Sequence, residues 1–162
     1  LAIADCAHAT ILRHAEAALA ACEAGAITPD LEHVVEAVVL MSGLGFENGG
    51  LSLAHSLTRG LVRARGARDA IHGAQVAWAV LVHMAAEGRG DDDIQSLARF
   101  YRRIGLPVRL ADLGMADPTD AEIDEMARLT MTAPHLANFG VPLDRAAVAA
   151  AIRRAEALGA AA

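Results

Sequence analysis

Residues 42–79 read SGLGFENGGLSLAHSLTRGLVRARGARDAIHGAQVAWA. Gly43, Gly45, Gly49 and Gly50 come first and predict a turn with unusual backbone angles. Gly49 and Gly50 then let the chain turn sharply into a helix predicted over about residues 51–62, which carries His55. An arginine-rich link, Arg63 to Arg68, leads to a second helix predicted over 72–88, with His72 at its mouth. Between Val76 and Ala86 that helix is apolar nearly all round, the pattern of a central buried helix. Neutral imidazoles presented by separate helices can share one divalent metal. His55 and His72 are therefore the candidate ligand pair.

The same helical grammar extends in both directions. An alanine-rich helix is predicted over 2–24, ending before Gly25. Thr28 followed by Pro29 marks the next start, since the hydroxyl caps the first turn and proline sacrifices no needed N–H there. Leu31, Val34, Val35, Val38 and Val39 then fall at helical spacing, predicting a buried stripe on a helix that ends near Gly43. Downstream, Asp91, Asp92 and Asp93 complement the positive end of a helix running to about Ile104, stopped by Gly105 before Pro107. Thr119 and Glu122 form a capping box for a helix to about Thr132. Asp144 caps the last helix, with Val148, Ile152 and Ala155 as its apolar stripe. No alternating run of β-branched residues predicts a strand. The fold class is all-α, a compact multi-helix bundle, and 162 residues suit one domain over 1–162.

Composition narrows the chemistry. Hydrophobic residues make up 54%, which argues against disorder, and the excess of alanine favours close-packed helices. The net charge of −6 lacks the basic footprint of a nucleic-acid binder, so no nucleic-acid partner is expected. There is no lysine, which removes Schiff-base catalysis and a GK[ST] phosphate loop. Cys6 and Cys22 lie about 24 Å apart along one helix and cannot bridge within it, so a reduced, cytoplasmic setting is expected. The apolar run Val76 to Ala86 is too short to span a bilayer, and no membrane association is expected. The first residue is Leu, so the chain reads as a piece of something longer.

Other motifs resolve to ordinary structure. Gly43 and Gly45 begin a G-x-G pattern, but position 48 is Asn and a helix precedes the turn, so this is no dinucleotide fingerprint. Arg59, Arg63, Arg65 and Arg68 read as a solvated face rather than an anion site. Asp91 to Asp93 lack the spaced ligands and distal Glu of a calcium loop. No G-x-S-x-G elbow and no acid/base carboxylate couple is present. His8, His14, His33, His83 and His135 read as surface or hydrogen-bonded histidines.

With SGLGFENGGLSLAH (42–55), IHGAQVAW (71–78), FYRRIGLPVRLADLG (100–114) and NFGVPLDRAAVAAAI (138–152) in that order, the chain resembles the glycerol dehydrogenase branch of the iron-containing alcohol dehydrogenase superfamily. The resemblance covers essentially the whole chain, but only the C-terminal helical domain of such dehydroquinate synthase-like enzymes. It implies that His55 and His72 bind the catalytic metal, Zn2+ or alternatively Fe2+. It implies a third ligand, an aspartate, in a part preceding Leu1. It places Phe46 at the border of the substrate pocket. NAD is expected to bind mainly to an N-terminal domain absent from this chain.

The implied reaction is metal-assisted hydride transfer from glycerol to NAD, giving dihydroxyacetone, in a homo-oligomeric enzyme acting on a small polyol. Two departures bear on the substrate. Thr58 and Arg59, and later Ala137 and Asn138, stand where family members often carry His-Asn. Arg59 motivates an alternative, a relative acting on a hydroxycarboxylate or glycerol phosphate. A further alternative is a helical piece that is inert without its cofactor domain.

Overall fold

The computed structural model describes Ala2–Ala162. Among the described residues every regular element is helical, as the sequence predicts. The elements are α1 (Ala2–Glu23), α2 (Pro29–Glu36), α3 (Ser42–Gly49), α4 (Leu53–Leu61), α5 (His72–Ala86), α6 (Asp91–Arg103), α7 (Asp120–Thr130) and α8 (Arg145–Ala161). Contacts gather into two compact units, one ending at Gly50 and the other spanning Leu51–Ala162. No single helix among the described residues is long and apolar enough to cross a membrane.

In the first unit, Thr28 Oγ1 accepts from Leu31 N and Pro29 opens α2, as the sequence predicts. The helix does not end near Gly43. It passes through a π-helical segment, Ala37–Met41, directly into α3. Gly43, Gly45 and Gly49 are helical, and only Gly50 takes a positive φ, 69°, as the stop. Nothing lies where a Cβ on Gly43, Gly45 or Gly49 would stand, so packing within the chain does not demand these glycines.

The predicted buried stripe is also corrected. Val35, Val38 and Val39 are 48%, 49% and 71% exposed. Leu31 and Val34 of the same stripe are half-buried, and α1 packs on this segment, where Ala37 is buried with Ala7, Ala18 and Ala21. Cys6 and Cys22 are free and exposed on α1.

In the second unit, α4, α5, α8 and α7 form a closed ring of packed neighbours, with α6 laid against α5 and α8. Leu53, Leu57, Leu61, Trp78, Leu81, Val82, Ile94, Val148 and Ile152 fill its centre, each 1% exposed or less. Each such large side chain contributes roughly 1.5–3 kcal/mol by leaving water. The expected caps are present: Thr119 with Glu122 at α7, and Asp144 at α8 accepting from Ala147 N. Asp91 to Asp93 occupy the first turn of α6, and Gly105 (φ 74°) follows its end.

Two features set the spacing of these helices. At Gly60 a Cβ would stand 2.8 Å from Met126 Cα and 2.9 Å from Met126 O, so α4 and α7 touch backbone to backbone. Glu156 on α8 joins two further elements. Its Oε1 accepts from Trp78 Nε1 and from Leu110 N, both at 2.8 Å. Burial raises the pKa of its carboxyl, against the pull of those two hydrogen bonds and of the Arg109 charge.

Gly60→Ala is expected to destabilise the protein by about 1–3 kcal/mol, because overpacking outweighs alanine's helix preference of about 1 kcal/mol. Urea denaturation measures this, and an unchanged or higher midpoint would contradict the backbone contact. Glu156 should also shape the pH response. A folded pKa above the unfolded value of 4.5 stabilises fully below that value and less as pH rises. Glu156→Gln keeps an accepting Oε1 but does not ionise. Its stability relative to wild type is therefore expected to increase between about pH 4 and 7. A falling difference over that range would show that the fold prefers the carboxylate.

Candidate functional site

The site begins with how α4 is seated. Leu53, Ala54, Leu57, Gly60 and Leu61 are buried, which turns His55, Thr58 and Arg59 toward the other side of the helix. Ser52 precedes α4 in a non-helical conformation and provides no side-chain cap. Its hydroxyl is buried without a partner. His55 is half-buried in the first turn, and Thr58 Oγ1 donates to the His55 carbonyl at 2.7 Å.

His72 opens α5, with two residues between it and the short 3-10 turn Ala67–Asp69. The start of α5 is fixed by Gln75, 2% exposed, whose Nε2 donates to Ala67 O at 2.9 Å. Gly66 (φ 76°) lets the preceding chain pass against the Gly114 backbone. Neither contact is legible in the spacing, since a glutamine inside an apolar helix carries no partner label.

These two elements bring the imidazoles together. The ring centroids of His55 and His72 are 5.6 Å apart, with planes inclined at 55°. A Zn–N bond of about 2.0–2.1 Å puts a ring centre roughly 3.2 Å from the ion, so two tetrahedral imidazoles have centres roughly 5.2 Å apart. The observed separation fits that requirement after a small adjustment. Burial lowers the His55 pKa, and the charges of His72 and His135 lower it further. The neutral form that binds metal is thus favoured.

Among the described residues, no set of three or more His, Cys, Asp or Glu side chains is arranged to hold a metal ion. The pair supplies two nitrogen donors only. Borderline-soft imidazole nitrogen suits zinc and also iron.

The remaining predicted residues lie elsewhere or do other things. Phe46 belongs to the first unit, is 51% exposed, and borders a pocket of ≈ 670 Å³ with Ile3, Leu44 and Met41. Arg59 is not a free cation. Its Nη1 donates to Thr132 O at 3.1 Å and to Thr132 Oγ1 at 3.3 Å. Arg65 likewise reaches Glu122, and with the Thr119 contacts holds that carboxyl at about 2. His14 bonds Asp30 (2.6 Å) and stacks on His33, whose Nδ1 meets Pro29 O. His83 bonds Glu87 and meets the edge of Phe139. His135 is the exception, because its charge reaches His55. Sequence reasoning missed it, since it joins the group only through tertiary packing.

No protein-family model matches the chain. Individual relatives do. Glycerol dehydrogenase of Citrobacter freundii is 32% identical over 160 residues, 98% of this chain and 44% of that enzyme. Glycolaldehyde reductase of Halobacterium salinarum is 37% identical over 125 residues, 77% of this chain and 34% of that protein. Among solved structures, a probable glycerol dehydrogenase from Sinorhizobium meliloti superposes with a TM-score of 0.92 at 36% identity, over 99% of this chain and 45% of that one. The chain spans less than half the length of these relatives. Proteins named glycerol dehydrogenase thus match this chain in sequence and in fold along nearly its whole length, consistent with a C-terminal helical portion of such a protein.

Proposed function

We propose that this chain is the metal- and substrate-binding helical part of an NAD-dependent polyol dehydrogenase that oxidises glycerol to dihydroxyacetone. The observation that carries the reading is the approach of the His55 and His72 rings, 5.6 Å between centroids. His55 and His72 would hold a zinc ion, with iron as the alternative. Two neutral imidazoles leave the ion's charge uncompensated, which suits an anionic third ligand, the aspartate implied by family resemblance. When bound, the metal supplies Lewis acidity that lowers the pKa of an alcohol hydroxyl. His55 stays available as a ligand near neutral pH because burial and neighbouring imidazole charge disfavour its protonation.

The chain's own residues bind and orient. The buried face of α4 and the Gln75 bond on α5 fix the two imidazoles before substrate arrives. Phe46 offers an exposed aromatic surface in its own unit, and the resemblance implies that it borders the substrate pocket. An NAD cofactor, implied by the resemblance, would supply the acceptor for the hydride from the alcohol carbon, and the hydroxyl proton would go to solvent. Glycerol is preferred over a hydroxycarboxylate or glycerol phosphate because Arg59 is already engaged with Thr132. The 162-residue piece alone is expected to show negligible turnover.

In the intact enzyme, His55→Ala and His72→Ala are each expected to lose bound metal and glycerol oxidation together. Elemental analysis beside a steady-state assay measures both. Full metal stoichiometry in both variants would refute the ligand assignment. A substrate panel favouring anionic substrates over glycerol would replace the polyol reading with its alternative.

A further inference from the structure

Two polar clamps lay one segment along the open side of α4. Arg59, in the last turn of α4, grips Thr132 through its carbonyl and hydroxyl oxygens. At the other end, Asn138 Nδ2 donates to Leu51 O at 2.8 Å, just ahead of α4. The 3-10 turn Pro134–Asn138 lies between these clamps and packs on α4. Because the earlier end meets the end of α4 and the later end meets its beginning, the segment runs antiparallel to the helix. Ala133, buried, and Leu136, half-buried, anchor it from below.

His135 rides on this strap. His55 and Arg59 are one helical turn apart and share a face of α4, so the strap crosses above His55. In keeping with this path of the strap, His135 is the last of the three causes that lower the His55 pKa, after burial and His72. Among the described residues, no protein group takes a ring nitrogen of His55, His72 or His135. His14, His33 and His83, by contrast, each have a hydrogen-bond partner. His135 is exposed, so structural burial does not account for its position. Nor does the arrangement make it a third metal ligand.

Resting on the polyol dehydrogenase reading, we propose that the Thr132–Asn138 strap presents His135 as a third imidazole beside the His55–His72 pair, where it hydrogen-bonds a second substrate hydroxyl and favours vicinal diols over simple alcohols. Arg59 and Asn138 are positioning residues that act through the strap. A ring nitrogen of His135 donates to, or accepts from, the hydroxyl neighbouring the one being oxidised, and no covalent change occurs at His135.

The test uses the intact, zinc-loaded enzyme with His135→Ala, His135→Gln and Arg59→Ala. Zinc content is expected to match wild type in all three. Glycerol affinity, measured by calorimetry, is expected to fall roughly 3- to 10-fold in His135→Ala, the value of one neutral hydrogen bond. The kcat/KM ratio of glycerol to 2-propanol should fall by a similar factor, mainly through KM for glycerol. His135→Gln should restore part of the loss, and Arg59→Ala should show a smaller loss in the same direction. Unchanged glycerol affinity in His135→Ala would overturn the proposal. So would equal losses on glycerol and 2-propanol, or loss of zinc. A wild-type enzyme without zinc-dependent glycerol oxidation would overturn the parent reading as well. An active wild type with an insensitive His135→Ala would overturn this inference alone.

Discussion

The seating of α4 is the constraint on which the rest depends. Its apolar face is driven into the ring of helices by Leu53, Leu57 and Leu61, and Gly60 lets α7 come to backbone contact. That burial fixes the rotation of α4 about its own axis. Rotation in turn decides that His55 and Arg59 look outward together, toward His72 on one side and the strap on the other. Truncating one of these leucines would cost about 2–5 kcal/mol. The geometry of the imidazole pair is thus held by apolar packing, although neither imidazole is itself part of the core.

The electrostatics follow from that placement. His55 and His72 both stand in the first turn of a helix, where unsatisfied N–H groups carry partial positive charge. Partial burial adds a penalty on the charged imidazole of His55. Burial and the neighbouring imidazole charges thus favour the neutral form of His55. Under the proposed assignment, a metal held there would be balanced by a carboxylate ligand.

Much of the fold is legible from local chemistry. Caps at Thr28, Thr119 and Asp144, the stop at Gly105 and the apolar run of α5 state their roles within a few residues of sequence. Less legible is whatever depends on distant covering. Gly43, Gly45 and Gly49 suggest a turn, yet the helix continues through them because Gly50 alone takes the left-handed stop. The valine stripe of residues 35–39 has the period of a core face, but period says which side is apolar, not whether anything in the same unit covers it. The approach of the His55 and His72 rings was legible through motif order. Gln75, the Arg59–Thr132 clamp and His135 were not, because each acquires meaning only from a partner brought close by packing.

The two halves of the site are held by different forces, and this has a consequence for specificity. The ligand-bearing helices are fixed by a closed apolar core, which tolerates little adjustment. The strap hangs on exposed polar bonds from Arg59 and Asn138, over a shallow anchor of Ala133 and Leu136. Exposed hydrogen bonds of this kind contribute on the order of 1 kcal/mol each, so substitution there moves the strap without disturbing the imidazole pair. Under the proposed assignment, a metal held on the core and a substrate-facing segment held on the surface would separate the chemistry from the choice of alcohol. Arg59, whose bonds to Thr132 hold the strap, and Thr58 beside it stand where the resemblance expects His-Asn, so under the proposed function this departure would act on the strap and not on His55 or His72.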